Sequence, residues 1–171
     1  MLAEIVLAIT SFLTGKAISK PTVKEIKKYN KIVRNTPLII SLLISAVILS
    51  NYLEGVILVI VGALLSLAFR KNKDQAPIVF ATITLLVTTV NAEIGFASAL
   101  LFIIYFITKG SLDHQKPVNG SIMILIGTAA FLVLNFVKLI DSQLSLIFSS
   151  LFIGAVVGGE LAIATKNKSK N

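Results

Sequence analysis

The sequence predicts an all-α integral membrane protein. Three tandem transmembrane helical hairpins give six spans, preceded by an N-terminal apolar helix and a basic amphipathic helix lying in the membrane interface. Three observations lead there. Of the 171 residues, 56% are hydrophobic and 14% charged, with a mean hydropathy of +0.92, whereas a soluble domain carries about a quarter charged residues. The apolar residues form continuous blocks, not the apolar/polar alternation of a membrane strand. The Lys and Arg residues gather between the blocks, as in the loops of a polytopic protein.

The first element, residues 1–15, contains the apolar run 2–14, which makes a seventh span if it crosses the bilayer. A signal peptide needs a basic leading region, and here Glu4 is the only charged side chain before Lys16, so no cleavage is expected. The segment 16–36 is basic. Thr22 and Glu25 stand at capping-box spacing. Val23, Ile26, Tyr29, Ile32 and Val33 then recur every three or four residues, with Lys24, Lys27, Lys28 and Lys31 between them. That is the pattern of an amphipathic helix on a membrane surface. Anionic lipid head groups contribute about 1 kcal/mol per Lys there; the other reading is a docking helix for a soluble partner.

Hairpin 1 occupies 37–73 with spans at 37–53 and 55–69. Hairpin 2 occupies 74–116 with spans at 76–92 and 94–108, and hairpin 3 occupies 117–165 with spans at 118–138 and 143–165. A basic tail, 166–171, closes the chain. Pro37, Pro77 and Pro117 stand 40 residues apart, as do Asn51 and Asn91, and Gly55 and Gly95. Proline at the first turn of a helix removes no hydrogen bond, and Asn or Gly suits a tight reversal. The period fits either a duplicated hairpin or hairpins sized to one bilayer. Spans of roughly 15 to 17 residues cover about 24 Å, short of a hydrocarbon core of about 30 Å, so they borrow flanking residues or thin the bilayer. The third hairpin is longer: Asp141 lies 24 residues past Pro117, while Glu54 lies 17 past Pro37.

Charge sets the orientation. Of the 16 basic residues, all but Lys138 fall in 16–34, 70–73, 109–116 and 166–170, whereas Glu54, Glu93 and Asp141 mark the opposite connections. Basic loops stay cytoplasmic, so the expectation is a multi-pass cell-membrane protein with a cytoplasmic C-terminus.

Within the spans, Glu160 is the one carboxylate, and intramembrane ionisable groups are costly and often functional. It either binds a proton, a cation or a basic partner, or snorkels to the interface beside Lys166. Gly154 and Gly158, with Gly159 adjacent, form a small-xxx-small pattern that lets a helix approach closely. Polar groups form stripes: Ser121, Thr128 and Asn135; Ser142, Ser145 and Ser149; Thr84, Thr88 and Asn91. Facing inward they can line a path for a small solute or ion toward Glu160; otherwise they bond to their own helix backbone or across helices.

The chain has no Cys and one His, His114, which excludes disulfides and Cys/His metal sites. No Walker A, zincin, Rossmann or nucleophile-elbow pattern is present, so no catalytic, cofactor or metal-binding residue is assigned. The basic residues lack the aromatic interleaving of a nucleic-acid binder. The leading functional expectation is a non-catalytic subunit or scaffold of a larger membrane complex, associating with other subunits or with itself through the glycine face. The alternatives are a small-solute or ion transporter component using the path to Glu160, and a membrane anchor for a cytoplasmic enzyme docked on Lys24, Lys27, Lys28 and Lys31.

Overall fold

The computed structural model describes residues 2–19, 30–68, 76–90, 92–112, 117–136 and 142–168, with side chains described for 2–19, 35–66, 76–90, 98–112, 119–135 and 144–165. Among the described residues seven helices form from the apolar blocks: α1 (Leu2–Ser19), α2 (Asn30–Asn51), α3 (Gly55–Ala68), α4 (Ala76–Thr88), α5 (Ala92–Leu112), α6 (Pro117–Phe136) and α7 (Ser142–Lys168). No strand occurs among the described residues. Two helical stretches, Leu2–Ser19 and Leu144–Thr165, are both long and apolar enough to cross a membrane; the other apolar stretches run 10–17 residues. The N-terminal run, expected to stop near residue 14, therefore continues for another turn and is one of the two.

Proline placement explains two of the helix starts. Pro117 is the first residue of α6 and Pro77 the second of α4, where the missing N–H has no partner to lose. Pro37 departs from the expectation. It lies inside α2, which already begins at Asn30, so the end of the basic segment, 30–36, belongs to this helix. The rest of the interfacial segment lies outside the described residues.

Chain neighbours are not the main packing partners, contrary to a picture of hairpins as compact units. Tyr52 donates to the carbonyl of Ile48 (3.1 Å) and Gly55 to that of Tyr52 (3.0 Å), so α2 passes into α3 through a tight turn. Yet α3 then packs on α7, while α2 packs on α5 and α7. Helix α4 contacts α7, α6, α5 and α1, and Pro77, Ile78 and 81–88 are buried. Its thirteen residues, about 20 Å, are thus wrapped by other helices. The long α7, with 27 residues, fits the expectation of a longer third hairpin; α6, with 20 residues, does not exceed the 22 of α2.

The contacts also fix relative direction. Along the α3/α7 seam, Gly55 faces Ser150, Val59 faces Gly154 and Ala63 faces Gly158; the numbers rise together, so these helices run parallel. Pro77 at the start of α4 faces Gly159 near the end of α7, and Phe80 stacks on Phe152 at 6.2 Å, so α4 and α7 run antiparallel.

The core joins Phe12 of α1, Ile44 and Ile48 of α2, Leu85 of α4, Phe102 and Phe106 of α5, Ile124 of α6 and Ile153 of α7. Among its described side chains, 55–66, helix α3 contributes no large buried one. Its buried positions are Gly55 and Gly62, and Val56, Ile57, Ile60, Val61, Leu64 and Leu65 are exposed.

Candidate functional site

Three side chains from two helices meet at one oxygen. Tyr105 and Lys109 are four residues apart on α5 and so share a face. The Tyr105 hydroxyl donates to Glu160 Oε1 at 2.7 Å, and Lys109 Nζ lies 2.8 Å from the same oxygen. Tyr105 is fully buried and Glu160 is 3% exposed. The Lys109 side chain is 10% exposed. Both of these contacts fall on Oε1.

The glycines before Glu160 account for its burial. A side chain at Gly158 would strike Ala63 and Ser66 of α3, and one at Gly159 would come within 2.7 Å of Pro77 Cγ of α4. With no side chain at either position, two helices close on α7 beside the carboxylate and exclude water. Gly154 does the same against Val59. The small-residue pattern is therefore occupied within the chain by α3 and α4.

Glu160 does not snorkel; its partners are on α5. Two site residues escaped the sequence reading. Lys109 was expected in a cytoplasmic loop because the expected span ends at Thr108, but α5 continues to Leu112 and carries Lys109 into the bundle. Tyr105 is hard to tell from a core aromatic by composition. The available signal was the four-residue spacing of a tyrosine and a lysine at the end of an apolar run.

The polar stripes divide. Thr84, Thr88, Thr128, Ser145 and Ser149 are buried, Ser121 is half-buried and Asn135 is exposed. The Ser142 side chain, Asn91, and Lys24, Lys27 and Lys28 lie outside the described residues; Lys31 falls in the backbone of α2 with its side chain undescribed. The buried threonine hydroxyls donate within their own helix, Thr84 to Phe80 (2.8 Å), Thr88 to Leu85 (2.8 Å) and Thr128 to Ile124 (2.9 Å). One bond crosses helices, from Ser98 to Thr88 at 3.3 Å. Between Ser149 and Glu160 the fully buried Ile153 and Val156 interrupt the polar groups of α7. Asn135 cannot belong to an inward path.

Among the described residues no group of three or more His, Cys, Asp or Glu side chains is placed to hold a metal ion. No protein-family model, curated protein or solved structure matches this chain.

Proposed function

We propose that this chain is a multi-pass integral membrane protein with its C-terminus in the cytoplasm, α2–α7 crossing as six spans and α1 as a seventh, and that it serves as a non-catalytic subunit or scaffold of a larger membrane complex. The observation that carries this reading is an inverted distribution of polarity. Ser41, Ser45, Thr82, Thr84, Lys109 and Glu160 are buried, while Ile39, Leu42, Ile57, Leu64, Leu125 and Val133 are exposed. Water does not tolerate so broad an apolar exterior, and lipid requires polar groups to be turned inward and bonded.

Helix directions support single crossings. Parallel α3 and α7, four helices apart, and antiparallel α4 and α7 are what alternating spans require. The lengths of α2, α5 and α6, 22, 21 and 20 residues, meet the roughly 20 residues a span needs. The wrapped α4 has no lipid to match. Inside the bundle Thr84, Thr88 and Thr128 bond to backbone carbonyls and Glu160 is paired with Lys109, which favours the outer surface as the place for association.

Native mass spectrometry of the protein extracted from its own membranes in a mild detergent tests the subunit reading. Stoichiometric partner chains are the expected result; a lone chain or a homo-oligomer overturns it. The buried Glu160 supports a second reading, a component for proton or cation transport, and a Glu160→Gln variant that keeps wild-type flux in liposomes excludes that role. An anchor for a cytoplasmic enzyme requires the basic segment. Replacing Lys24, Lys27, Lys28 and Lys31 with Gln then releases the partner and leaves the topology intact.

A further inference from the structure

We propose that Glu160 is a proton-binding latch between α5 and α7. As a carboxylate it holds Lys109 and Tyr105; one proton taken up at Oε2 releases Lys109 and frees the last turns of α5. The step forms one O–H bond on Oε2 and breaks one in the hydronium ion that delivers the proton, leaving water.

The arrangement of donors favours Oε2 as the accepting atom. The Tyr105 and Lys109 contacts both use Oε1, so a proton can add to Oε2 without displacing either of them. Tyr105 can still donate to Oε1 of the neutral acid. Lys109 cannot stay on equal terms, because the local charge changes from zero to +1 and an unpaired buried ammonium ion is strongly unfavourable. It also has a route out. Lys109 stands three residues before the end of α5, and its long stem lets the charged head reach water while the methylenes stay against the bundle.

Among the described side chains no other charge is placed to take over. Helices α2, α3 and α4 pack on α7 and contribute no Asp, Glu, Lys, Arg or His among their residues with described side chains. The only such residue described on α7 is Glu160. Helix α5 supplies Lys109 and the Tyr105 hydroxyl. Helix α1, packed on α5, carries Glu4 near its start and Lys16, whose backbone lies against Gly110.

Release has a mechanical consequence because α5 and α7 are bridged mainly by these side chains. Helices α2 and α4 each pack against both of them, whereas α5 and α7 are not among the closely packed helix pairs. Losing the pair loosens the α5 terminus and leaves the backbone packing of the bundle in place.

Hydrogen exchange of the full chain in lipid nanodiscs, read by mass spectrometry and corrected for the intrinsic pH dependence of amide exchange, tests the latch. Between about pH 8 and about pH 4, protection over residues 106–112 should fall by about threefold or more. Protection over 55–66 should hold. Glu160→Gln should show the low protection at both ends, and Lys109→Met/Glu160→Leu, which keeps the volume without charge, should show no pH dependence. An infrared band from a protonated carboxyl should appear at acid pH in the wild type and be missing from both variants. Protection over 106–112 that does not change with pH overturns the proposal, and so does an equal loss over 55–66. If Glu160→Gln does not fold, the double variant decides: a persisting acid-induced loss in it also overturns the latch.

Discussion

Replacing Gly154 with Ala should destabilise the protein by separating α3 from α7. A carbon added at Gly154 would lie 2.7 Å from both Cα and the carbonyl carbon of Val59, whereas carbon atoms in contact prefer about 3.5–4.0 Å. The obstacle is backbone, so no rotamer change relieves it, and the helices must part by about 1 Å. A gap of that size forfeits roughly a quarter to a half of each dispersion contact it opens. Overpacking of this kind costs about 1–3 kcal/mol. Helix propensity acts the other way, favouring Ala over Gly by about 1 kcal/mol, so the expected net loss is roughly 0–2 kcal/mol, and Gly154→Leu should lose more. Among the described residues of α3, 55–66, the buried positions are Gly55 and Gly62 and no larger buried side chain shares the load. Denaturant unfolding in detergent micelles measures the loss, and native mass spectrometry of the same samples reports association. A Gly154→Leu protein as stable as the wild type that has lost its partner chains would refute the reasoning, because the glycine face would then be an external docking surface.

Three further outcomes are expected. Lys109→Met leaves Glu160 buried without its counter-ion and should cost about 3–5 kcal/mol, whereas Lys109→Met/Glu160→Leu should recover to within about 1 kcal/mol of the wild type or exceed it; unfolding midpoints of the four proteins in a double-mutant cycle check this. Ile57 is 70% exposed, so Ile57→Lys should raise the cost of membrane insertion by about 3 kcal/mol if that face meets lipid but change stability by less than about 0.5 kcal/mol if it meets water; insertion in a translocation assay separates the two. Because the chain has no cysteine, Glu54→Cys and Thr165→Cys can be labelled singly with a membrane-impermeant maleimide in intact cells. Modification at 54 and protection at 165 are expected, and modification of both would contradict the proposed topology.

The elements were legible because apolar run length is a local property. The blocks beginning at Gly55, Ala76 and Pro117 all became helices starting at or within a residue of the expected points. Ends were harder to place. Helix α5 runs on through Thr108, Lys109 and Gly110 because tertiary contacts outweigh the polarity of that turn: Lys109 is paired with Glu160, and Gly110 admits Phe12 of α1. Both partners are distant in sequence, so no local pattern reports them. The same limit explains Pro37, whose effect on α2 depends on packing and not on spacing. Helix pairing was the least legible feature, since short connections imply hairpins but cannot say that α3 finds its neighbour in α7.

At the site, the sequence singled out Glu160 and the glycines before it as separate features, and their joint meaning is spatial. Gly158 and Gly159 matter to Glu160 because they let α3 and α4 close on both sides of the residue that follows them. Closure lowers the local dielectric, and the lower dielectric strengthens the bond to Lys109 while raising the cost of leaving it unmade. A glycine seam placed elsewhere on α7 would still join helices, but it would not tie their approach to the charge state of a carboxylate. With the seam beside Glu160, water entering between α3 and α7 weakens the same ion pair that links α7 to α5. Helix packing on one side of α7 and charge pairing on the other are therefore coupled through three consecutive residues, 158–160.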